Sequence, residues 1–331
     1  MICKYKSHIF IIFFLALFPF IQSKLTPNYY EKSCPRFLDI MEETVAAKQQ
    51  LTPTTAGATL RLFFHDCMIG GCDASVLISS NAFNKGERDA DINLSLSGDG
   101  FDVVTRAKNM LELECPGIVS CSDIIATAAR DLVVLVGGPF YELGLGRKDS
   151  LVSRAVDAEN KYPTPNMTMN QVIEIFTSKG FTIQEMVALV GAHTIGFSHC
   201  KEFSNRLYNF SKTAETDPKY KPEFAAGLKK LCQNYQKDPA MSAYNDVMTP
   251  KKFDNMYYKN VKRGLGLLAT DSLMFEDKRT KPFVELYAEN ESKFFEDFGH
   301  AMRKVSVLNV KVGKNGEVRN RCDSFNNLDT N

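Results

Sequence analysis

The segment RLFFHDCMIGGCDAS, residues 61–75, combines an apolar helical pattern with several reactive side chains. Arg61 and His65 are four residues apart, so a helix would place them on one face, and Phe63 and Phe64 make that helix apolar. A guanidinium beside an imidazole disfavours the protonated ring, which leaves His65 free to accept a proton. Spacing alone favours a surface histidine beside a surface arginine, whereas the two phenylalanines favour a functional pair.

A second histidine, His193, lies near the end of the apolar segment MVALVGAHTIG, residues 186–196. Its small neighbours Gly191 and Ala192 would let a flat cofactor approach the backbone. A neutral imidazole is a good axial ligand for haem iron. The alternative interpretation is a core histidine whose ring is hydrogen-bonded to a carbonyl.

Two loops are rich in oxygen atoms that could bind a cation. The first carries Asp66, Asp73 and Ser75 among glycines, and the second, residues 246–254, carries two further aspartates and a threonine. Hard oxygen ligands of this kind suit Ca²⁺, although neither loop has the EF-hand pattern. Each loop alone could equally be a solvated turn.

The composition limits the class of protein. The chain has 331 residues, 40 basic against 39 acidic side chains, 44% apolar residues and 24% charged residues, which is typical of a soluble globular protein. Near-neutral net charge argues against a nucleic-acid partner, and 24 Phe with 12 Tyr argue against disorder. No HExxH, phosphate-binding loop or GxSxG motif is present.

The first 23 residues have the layout of a secretory signal peptide: a basic start, a 13-residue apolar run and a short polar end. Cleavage after Ser23 would leave a single domain of residues 24–331, with no membrane span. Eight cysteines would remain, an even number that suggests four disulfides in an oxidising compartment, but spacing does not fix their pairing. The possible N-glycosylation acceptors are Asn93, Asn166, Asn209 and Asn290.

Most of the mature chain shows helical periodicity with start and stop signals, such as the capping box from Thr182 to Glu185. Strand signals are weak and limited to residues 305–312 and 316–319. The sequence therefore predicts a mainly α fold. The predicted helices are 37–51, 54–66, 101–114, 120–136, 168–179, 182–195, 222–235, 253–263, 281–289 and 291–307.

Together these motifs resemble the plant secretory haem peroxidases, the class III family, over residues 24–325. The resemblance rests on LTPNYYEKSCP, RLFFHDC-x4-CDAS, CSDIIA, LGRKDS, LVGAHTIG, TP-x2-FDN-x-YY and GLLATDSLMF in this order. It implies a helical fold of two lobes that sandwich one haem b, with very little β-structure. It also implies reduction of H2O2 to water and one-electron oxidation of phenolic donors.

The resemblance assigns roles to five residues around the haem. His193 would be the proximal iron ligand, and Asp271 would accept a hydrogen bond from its other ring nitrogen. His65 would be the distal acid–base group, Asn93 would keep it basic, and Arg61 would stabilise charge on the departing oxygen. Two further residues would line the site, Phe64 as a wall and Pro163 as a carbonyl where phenolic donors bind.

The resemblance also implies two Ca²⁺ ions and four disulfides. The distal ion would be held by Asp66, Ile69, Gly71, Asp73, Ser75 and, through a water, Glu87. The proximal ion would be held by Thr194, Asp246, Thr249, Lys252 and Asp254. The implied disulfides join Cys34 with Cys115, Cys67 with Cys72, Cys121 with Cys322, and Cys200 with Cys232.

The chain departs from the family pattern at three places. Trp is absent and Phe140 lies near its usual position, Met68 replaces an aromatic residue, and SLSGDGF has one extra residue with Asp99 near the place of an arginine. We expect effects on local packing and donor preference. Because a role beside His65 would bury Asn93, we expect this acceptor to stay unglycosylated.

Two alternatives come from other classes. One is a secreted binding or wall-scaffold protein that keeps haem but has lost turnover, and the other is a calcium-stabilised, disulfide-bonded module without haem. We expect a monomer in the extracellular space, in the apoplast or cell wall, rather than in the vacuole. The sequence leaves the physiological donor open.

Overall fold

The computed structural model describes residues 25–327, and this range contains twelve α-helices. The predicted signal peptide lies outside the described residues. The helices are α1 Phe37–Leu51, α2 Thr55–Met68, α3 Gly98–Glu114, α4 Cys121–Leu135, α5 Met169–Ser178, α6 Ile183–Val190, α7 Ser204–Leu207, α8 Pro222–Leu231, α9 Met256–Lys262, α10 Ala269–Glu276, α11 Lys281–Glu289 and α12 Glu291–Val305.

Local capping signals set several helix starts as predicted. At the start of α6, Thr182 Oγ1 accepts from Glu185 N at 3.1 Å and Glu185 Oε2 accepts from Thr182 N at 2.7 Å. The same reciprocal capping box, between Thr168 and Gln171, opens α5. Two side-chain oxygens thus satisfy backbone N–H groups that have no partner within the helix.

Several predicted bounds were wrong. The helix predicted from residue 101 begins at Gly98, because Ser97 Oγ accepts from Asp99 N at 3.4 Å and caps it. The α-helix predicted to reach residue 195 ends at Val190 and continues as a 3₁₀ turn over Gly191–Thr194. The short helices α7 and α10 were not predicted, since four and eight residues carry little periodic signal.

The predicted strands were also wrong. Residues 305–312 begin at the last residue of α12 and continue as turns, and they and residues 316–319 make only single bridges, Lys148 with Lys311 and Asp149 with Glu317. The two strands of the described range are β1 Phe197–His199 and β2 Ser242–Tyr244, which pair antiparallel. Isolated bridges satisfy some backbone hydrogen-bonding groups of these segments without forming a strand ladder. The apolar periodicity of the sequence does not distinguish such a segment from a strand.

The helices form two groups that share one core. In the first group α2 packs on α3 and α4, and in the second α6 packs on α12 and α9 packs on α11. A single cluster of buried apolar side chains runs through both groups. His65 lies on α2 in the first group, and His193 lies in the 3₁₀ turn that follows α6 in the second. Over residues 25–327, no helix has the length and apolar character needed to cross a membrane.

Four disulfides have the pairing that the resemblance implied, and three of them join parts of the chain that are 32 or more residues apart. The disulfide with the largest sequence separation, 201 residues, joins the start of α4 to the C-terminal segment. Cross-links of this kind stabilise the fold chiefly by restricting the unfolded chain. The pairs are Cys34 with Cys115, Cys67 with Cys72, Cys121 with Cys322, and Cys200 with Cys232.

Candidate active site

His65 is a buried imidazole whose tautomer is set by its partner. His65 Nδ1 lies 2.7 Å from Asn93 Oδ1, and Asn93 Nδ2 donates to the backbone oxygen of Glu87 at 2.7 Å. Because the second bond fixes the direction of the amide, Asn93 presents its oxygen to the ring. Nδ1 must therefore carry the proton, which leaves the Nε2 lone pair available to accept one.

The surroundings of His65 hold the ring neutral. Burial, together with the positive charge of Arg61, lowers the pKa of His65 to about 3. Arg61 is fixed by a bidentate contact, in which Nη1 donates to the backbone oxygen of Ser95 and Nη2 to its hydroxyl, each at 2.9 Å. The predicted pair is thus a rigid cation beside a neutral base.

Aromatic side chains flank His65 on two sides. Its ring stacks on Tyr162 with centroids 4.2 Å apart, and Tyr162 Oη donates to the backbone oxygen of His65 at 2.9 Å. Phe64 contacts the His65 ring edgewise at 6.2 Å and packs on Phe176 at 6.0 Å. Pro163, the predicted donor contact, directly follows Tyr162 and is half-buried.

The hydrogen-bond partner of Nδ1 is a carboxylate in His193, whereas it is an amide in His65. His193 Nδ1 lies 3.0 Å from Asp271 Oδ1, and Asp271 is fully buried. Burial alone would raise the pKa of Asp271, but the charge of His193 and hydrogen bonds from His193, Leu268 N and Tyr257 outweigh it and lower the pKa. An ionised Asp271 only accepts, so His193 Nδ1 donates, and in the neutral ring the lone pair then lies on Nε2.

Asp271 is held in place by a tyrosine hydroxyl and a backbone N–H, and a buried arginine fixes the adjoining segment of chain. Tyr257 Oη donates to the same oxygen as His193, Asp271 Oδ1, at 2.7 Å, while Leu268 N donates to Oδ2 at 2.8 Å. The buried Arg206 donates to the backbone oxygens of Gly266, Leu267 and Leu268 at 2.8, 2.9 and 2.8 Å. Arg206 is itself paired with Asp217 at 2.8 Å, so the chain that leads into α10 is clamped.

The residues fit a haem cofactor by their donor chemistry. Both imidazoles have Nδ1 committed to an acceptor, which leaves one Nε2 lone pair on each of two helix groups. His193 keeps 33% of its side chain exposed although its partner Asp271 is at 0%, so it faces a space rather than the core. A carboxylate-bonded imidazole is the arrangement typical of a strong axial iron ligand.

The first oxygen-rich loop, residues 66–75, is called the distal loop below. Asp66 Oδ2 accepts from the backbone N–H groups of Asp73 and Ala74 at 3.1 and 2.9 Å. Ser75 Oγ donates to Glu87 Oε2 at 2.9 Å. The other two predicted ligands, Ile69 and Gly71, would bind through their carbonyl oxygens. Ile69 lines a polar cavity together with Ser75 and Glu87, and Gly71 is buried.

The anionic forms of Asp66 and of Glu87, its neighbour outside the distal loop, are disfavoured. Burial, then the charge of Asp73, raises the pKa of Asp66 well above its ordinary value, and burial with the charge of Asp66 raises the pKa of Glu87 to about 9. A bound cation would reverse both shifts. Gly71 is needed for the loop, because its φ is +131° and a Cβ would lie 2.6 Å from the backbone oxygen of Asn309.

The second oxygen-rich loop, residues 246–254, is called the proximal loop below. Thr249 Oγ1, which has one hydrogen to donate, lies 3.1 Å from Asp246 Oδ2 and 3.0 Å from Asp254 Oδ1. Thr194, next to His193, brings its Oγ1 to 3.4 Å from the backbone oxygen of Lys252 and 3.5 Å from Asp254 Oδ1. The five predicted ligands therefore gather in one place.

Neither loop relies on many ionisable ligands. In residues 25–327 no group of three or more His, Cys, Asp or Glu side chains is arranged to hold a metal. Each loop instead combines carboxylates with hydroxyl and backbone oxygens, the mixture that Ca²⁺ accepts.

The three departures from the family pattern have local structural accounts. Asp99 accepts from Thr54 Oγ1 at 2.8 Å and from Lys48 Nζ at 3.0 Å, so it joins α3 to the start of α2. Phe140 is 67% exposed with the Arg130 guanidinium 5.1 Å from its ring centroid. Met68 is buried in a small apolar cluster.

Sequence reasoning gave no role to Tyr162, Tyr257, Ser95 or Arg206. Each contacts a site residue, or the segment that supports one, from between 14 and 97 residues away in the chain. No periodic pattern marks such a partner. Only two positions could have drawn attention: Tyr162 directly precedes Pro163, and Tyr257 lies within the quoted motif TP-x2-FDN-x-YY.

Several known proteins are similar to this chain. A family model described as peroxidase matches residues 41–290. Peroxidase 63 of Arabidopsis thaliana is 59% identical over 305 residues, which cover 92% of this chain and 92% of the relative. Peroxidase 31 of the same plant is 56% identical over 316 residues, which cover 95% of this chain and 98% of the relative.

These matches extend over almost the whole chain, so they concern both helix groups and both histidines. They do not favour the alternative of a scaffold protein without turnover. The chain therefore belongs to the peroxidase family, and within it this oxidoreductase is a plant class III peroxidase.

Proposed function

We propose that this peroxidase binds one haem b per chain, reduces H2O2 to water and oxidises phenolic donors in one-electron steps. The observation that carries the proposal is the pair of imidazoles with opposite Nδ1 partners, Asn93 for His65 and Asp271 for His193. One ring is kept neutral and basic, and the other is made electron-rich.

His193 would hold the haem iron through Nε2. Asp271 strengthens this ligand because a carboxylate acceptor on Nδ1 increases the electron density of the ring. Tyr257 and the Arg206 clamp keep the carboxylate in position. When bound, haem supplies the redox chemistry by which peroxide takes up two electrons and each donor gives up one.

His65 and Arg61 would handle the proton and the charge. His65 Nε2 accepts a proton from one oxygen of H2O2 and delivers it to the other oxygen, which leaves as water. Arg61 stabilises the negative charge that develops on the leaving oxygen. The Asn93 amide holds the ring in the tautomer that both transfers need, and overall one H2O2 and two phenols give two waters and two phenoxyl radicals.

Phenolic donors would bind beside the distal side of the site. Pro163 would offer a backbone carbonyl to the phenol hydroxyl, and Phe64 would close the distal wall. The stack of Tyr162 on His65 supports this placement, because it brings the segment with Pro163 next to the acid–base group.

Two Ca²⁺ ions would bind per chain, one in the distal loop and one in the proximal loop. The distal loop follows the end of α2, which carries His65, and the proximal loop contacts Thr194, the neighbour of His193. Bound ions would therefore stiffen both histidine-bearing segments.

We further propose that the protein is a secreted, monomeric glycoprotein of the apoplast or cell wall. The four disulfides support an oxidising compartment. Asn166, Asn209 and Asn290 are exposed, whereas Asn93 is 2% exposed and is expected to carry no glycan. A glycan found on Asn93 by peptide mapping would contradict its role beside His65.

The proposed function is tested with the purified protein after haem loading. We expect a haem absorption band and H2O2-dependent oxidation of guaiacol. A haem-loaded protein that consumes no peroxide would contradict the proposal, as would a correctly folded protein that binds no haem. A screen of phenolic donors at fixed peroxide would then identify the preferred donor class.

A further inference from the structure

Lys311 places an ammonium group against the distal loop. Lys311 Nζ lies 3.1 Å from Asp73 Oδ2, and the Asp73 side chain is only 2% exposed. The backbone of Lys311 is held by Lys148, whose N–H donates to the Lys311 backbone oxygen at 2.8 Å. The side chain therefore starts from a fixed point and lines the same polar cavity as Ile69, Ser75 and Glu87.

Lys311 supplies a direct counter-charge to the carboxylates beside the distal loop. Three carboxylates, those of Asp66, Asp73 and Glu87, are buried there. Within residues 25–327, the ion pair from Lys311 is the one that reaches any of the three. Arg319 is also near, but its Nη1 and Nη2 donate to the backbone oxygens of Ala74 and Ser150.

Other basic groups that face the cavity are already engaged or lie at its rim. Arg154 is paired with Asp157 through Nε at 2.8 Å and Nη2 at 3.0 Å. Lys161 is an exposed residue on the cavity lining. Lys311 is thus placed to compensate the buried carboxylates directly.

We propose that Lys311 sets the calcium affinity of the distal loop, an inference that rests on the proposed calcium site. Without an ion, its ammonium group neutralises Asp73. When Ca²⁺ binds, the ion and the ammonium group share Asp73, or the ammonium group moves away. Sharing leaves a positive charge beside the ion, and moving away breaks the ion pair with Asp73, so in both cases the loop binds Ca²⁺ more weakly than its oxygen ligands alone would.

The test is a calorimetric titration of Ca²⁺ into the haem-loaded, EDTA-stripped protein, comparing the native chain with Lys311→Met and Lys314→Met. Lys314 is exposed and three residues away, so its variant makes the same change in net charge without touching Asp73. We expect Lys311→Met to bind Ca²⁺ at the distal site about tenfold more tightly, and Lys314→Met to match the native chain. The binding step that disappears in Asp73→Asn, or in Ser75→Ala if the former does not fold, identifies the distal site.

The outcomes separate this inference from the proposal on which it rests. Equal distal affinities in the native chain and Lys311→Met, or weaker binding in the variant, would overturn the role of Lys311 and leave the calcium site intact. A chain that binds no Ca²⁺ at the distal loop, with or without Lys311, would overturn both.

Thermal unfolding gives a second, independent readout. In EDTA, Lys311→Met should unfold roughly 2–4 °C below the native chain and Lys314→Met, because Asp73 has lost its counter-charge. In excess Ca²⁺ this difference should vanish or reverse. A Lys311→Met variant that is as stable as the native chain in EDTA would contradict the neutralising role.

Discussion

The two histidines of the site differ mainly in the group that accepts the Nδ1 proton. Asn93 offers His65 a neutral amide oxygen at 2.7 Å, whereas Asp271 offers His193 a carboxylate oxygen at 3.0 Å. The amide orients the ring without adding charge, which leaves burial and Arg61 free to lower the pKa of His65. The carboxylate orients the other ring and also donates electron density to it. The acceptor bonded to Nδ1 therefore determines whether a histidine is suited to proton transfer or to metal ligation.

The largest effect is expected from removing the distal base. His65→Ala should slow the reaction with H2O2 by about 10² to 10⁴-fold, the usual contribution of a positioned acid–base group. Haem absorption should be retained, because His193 is untouched. The measurement is stopped-flow kinetics of the peroxide step. His300→Ala is the control, since that imidazole is 71% exposed on α12. A His65→Ala variant that reacts as fast as the native enzyme would remove His65 from the mechanism.

Removing the proximal carboxylate should have the next largest effect. Asp271→Asn leaves an acceptor of similar shape but no negative charge, so the ferric state loses stabilisation and the Fe(III)/Fe(II) midpoint potential should become more positive. The peroxide step should fall by roughly 10- to 100-fold, the range seen for partners of metal ligands. The control is Asp91→Asn, which removes a carboxylate with 97% exposure. An unchanged potential would show that Asp271 does not act on the iron ligand.

Replacing the amide partner of His65 with a carboxylate should change the pH dependence of the reaction with peroxide. The native His65 has a pKa lowered to about 3, so it stays neutral and active on acidification to well below pH 6. In Asn93→Asp the new negative charge favours the protonated ring, which raises this pKa by about 1–3 units. Because only neutral His65 accepts a proton, the variant should lose activity at a higher pH than the native enzyme.

The measurement is the pH profile of the peroxide rate constant for Asn93→Asp, beside Asn170→Asp as an exposed substitution of the same charge. Superimposable profiles for Asn93→Asp and the native enzyme would mean that the amide does not control the protonation of His65.

The smallest effect is expected at Tyr257, which shares Asp271 Oδ1 with His193. Tyr257→Phe removes a competing donor, so the carboxylate should interact more strongly with His193 and the midpoint potential should become more negative. The shift should be smaller than that of Asp271→Asn and opposite in sign. Tyr258→Phe is a matched control, because its hydroxyl donates to the backbone oxygen of Val187 instead. Each variant should lose about 0.5–1.5 kcal/mol of unfolding free energy, and a shift of equal size in both would contradict the assignment.

Local features of the fold could be predicted from the sequence. The capping boxes at Thr168 and Thr182 and the proline-, glycine- and cysteine-bearing stops gave most helices within a few residues, because these signals act over one turn. The start of α3 was misplaced because Ser97 caps the helix from outside the apolar periodic segment, which begins at Phe101. The strands were misplaced because β1 and β2 are three residues each, too short for an alternating pattern to register.

The candidate site was predictable in its reactive groups but not in their supports. Arg61 and His65 are linked by helical spacing, so their proximity follows from local geometry alone. The pairing of His193 with Asp271 spans 78 residues and came only from the family resemblance. The contacts of Ser95, Tyr162 and Lys311 depend on how distant segments pack, and nothing local in the sequence specifies them.

The most direct test of the account is the coordination of the haem iron. We predict that the native protein holds ferric haem in a high-spin state with a single histidine ligand. His193→Gly should lose this spectrum and regain it when imidazole is added, while His65→Ala should keep it. A low-spin spectrum with two histidine ligands, or a His193→Gly variant with the native spectrum, would contradict the account.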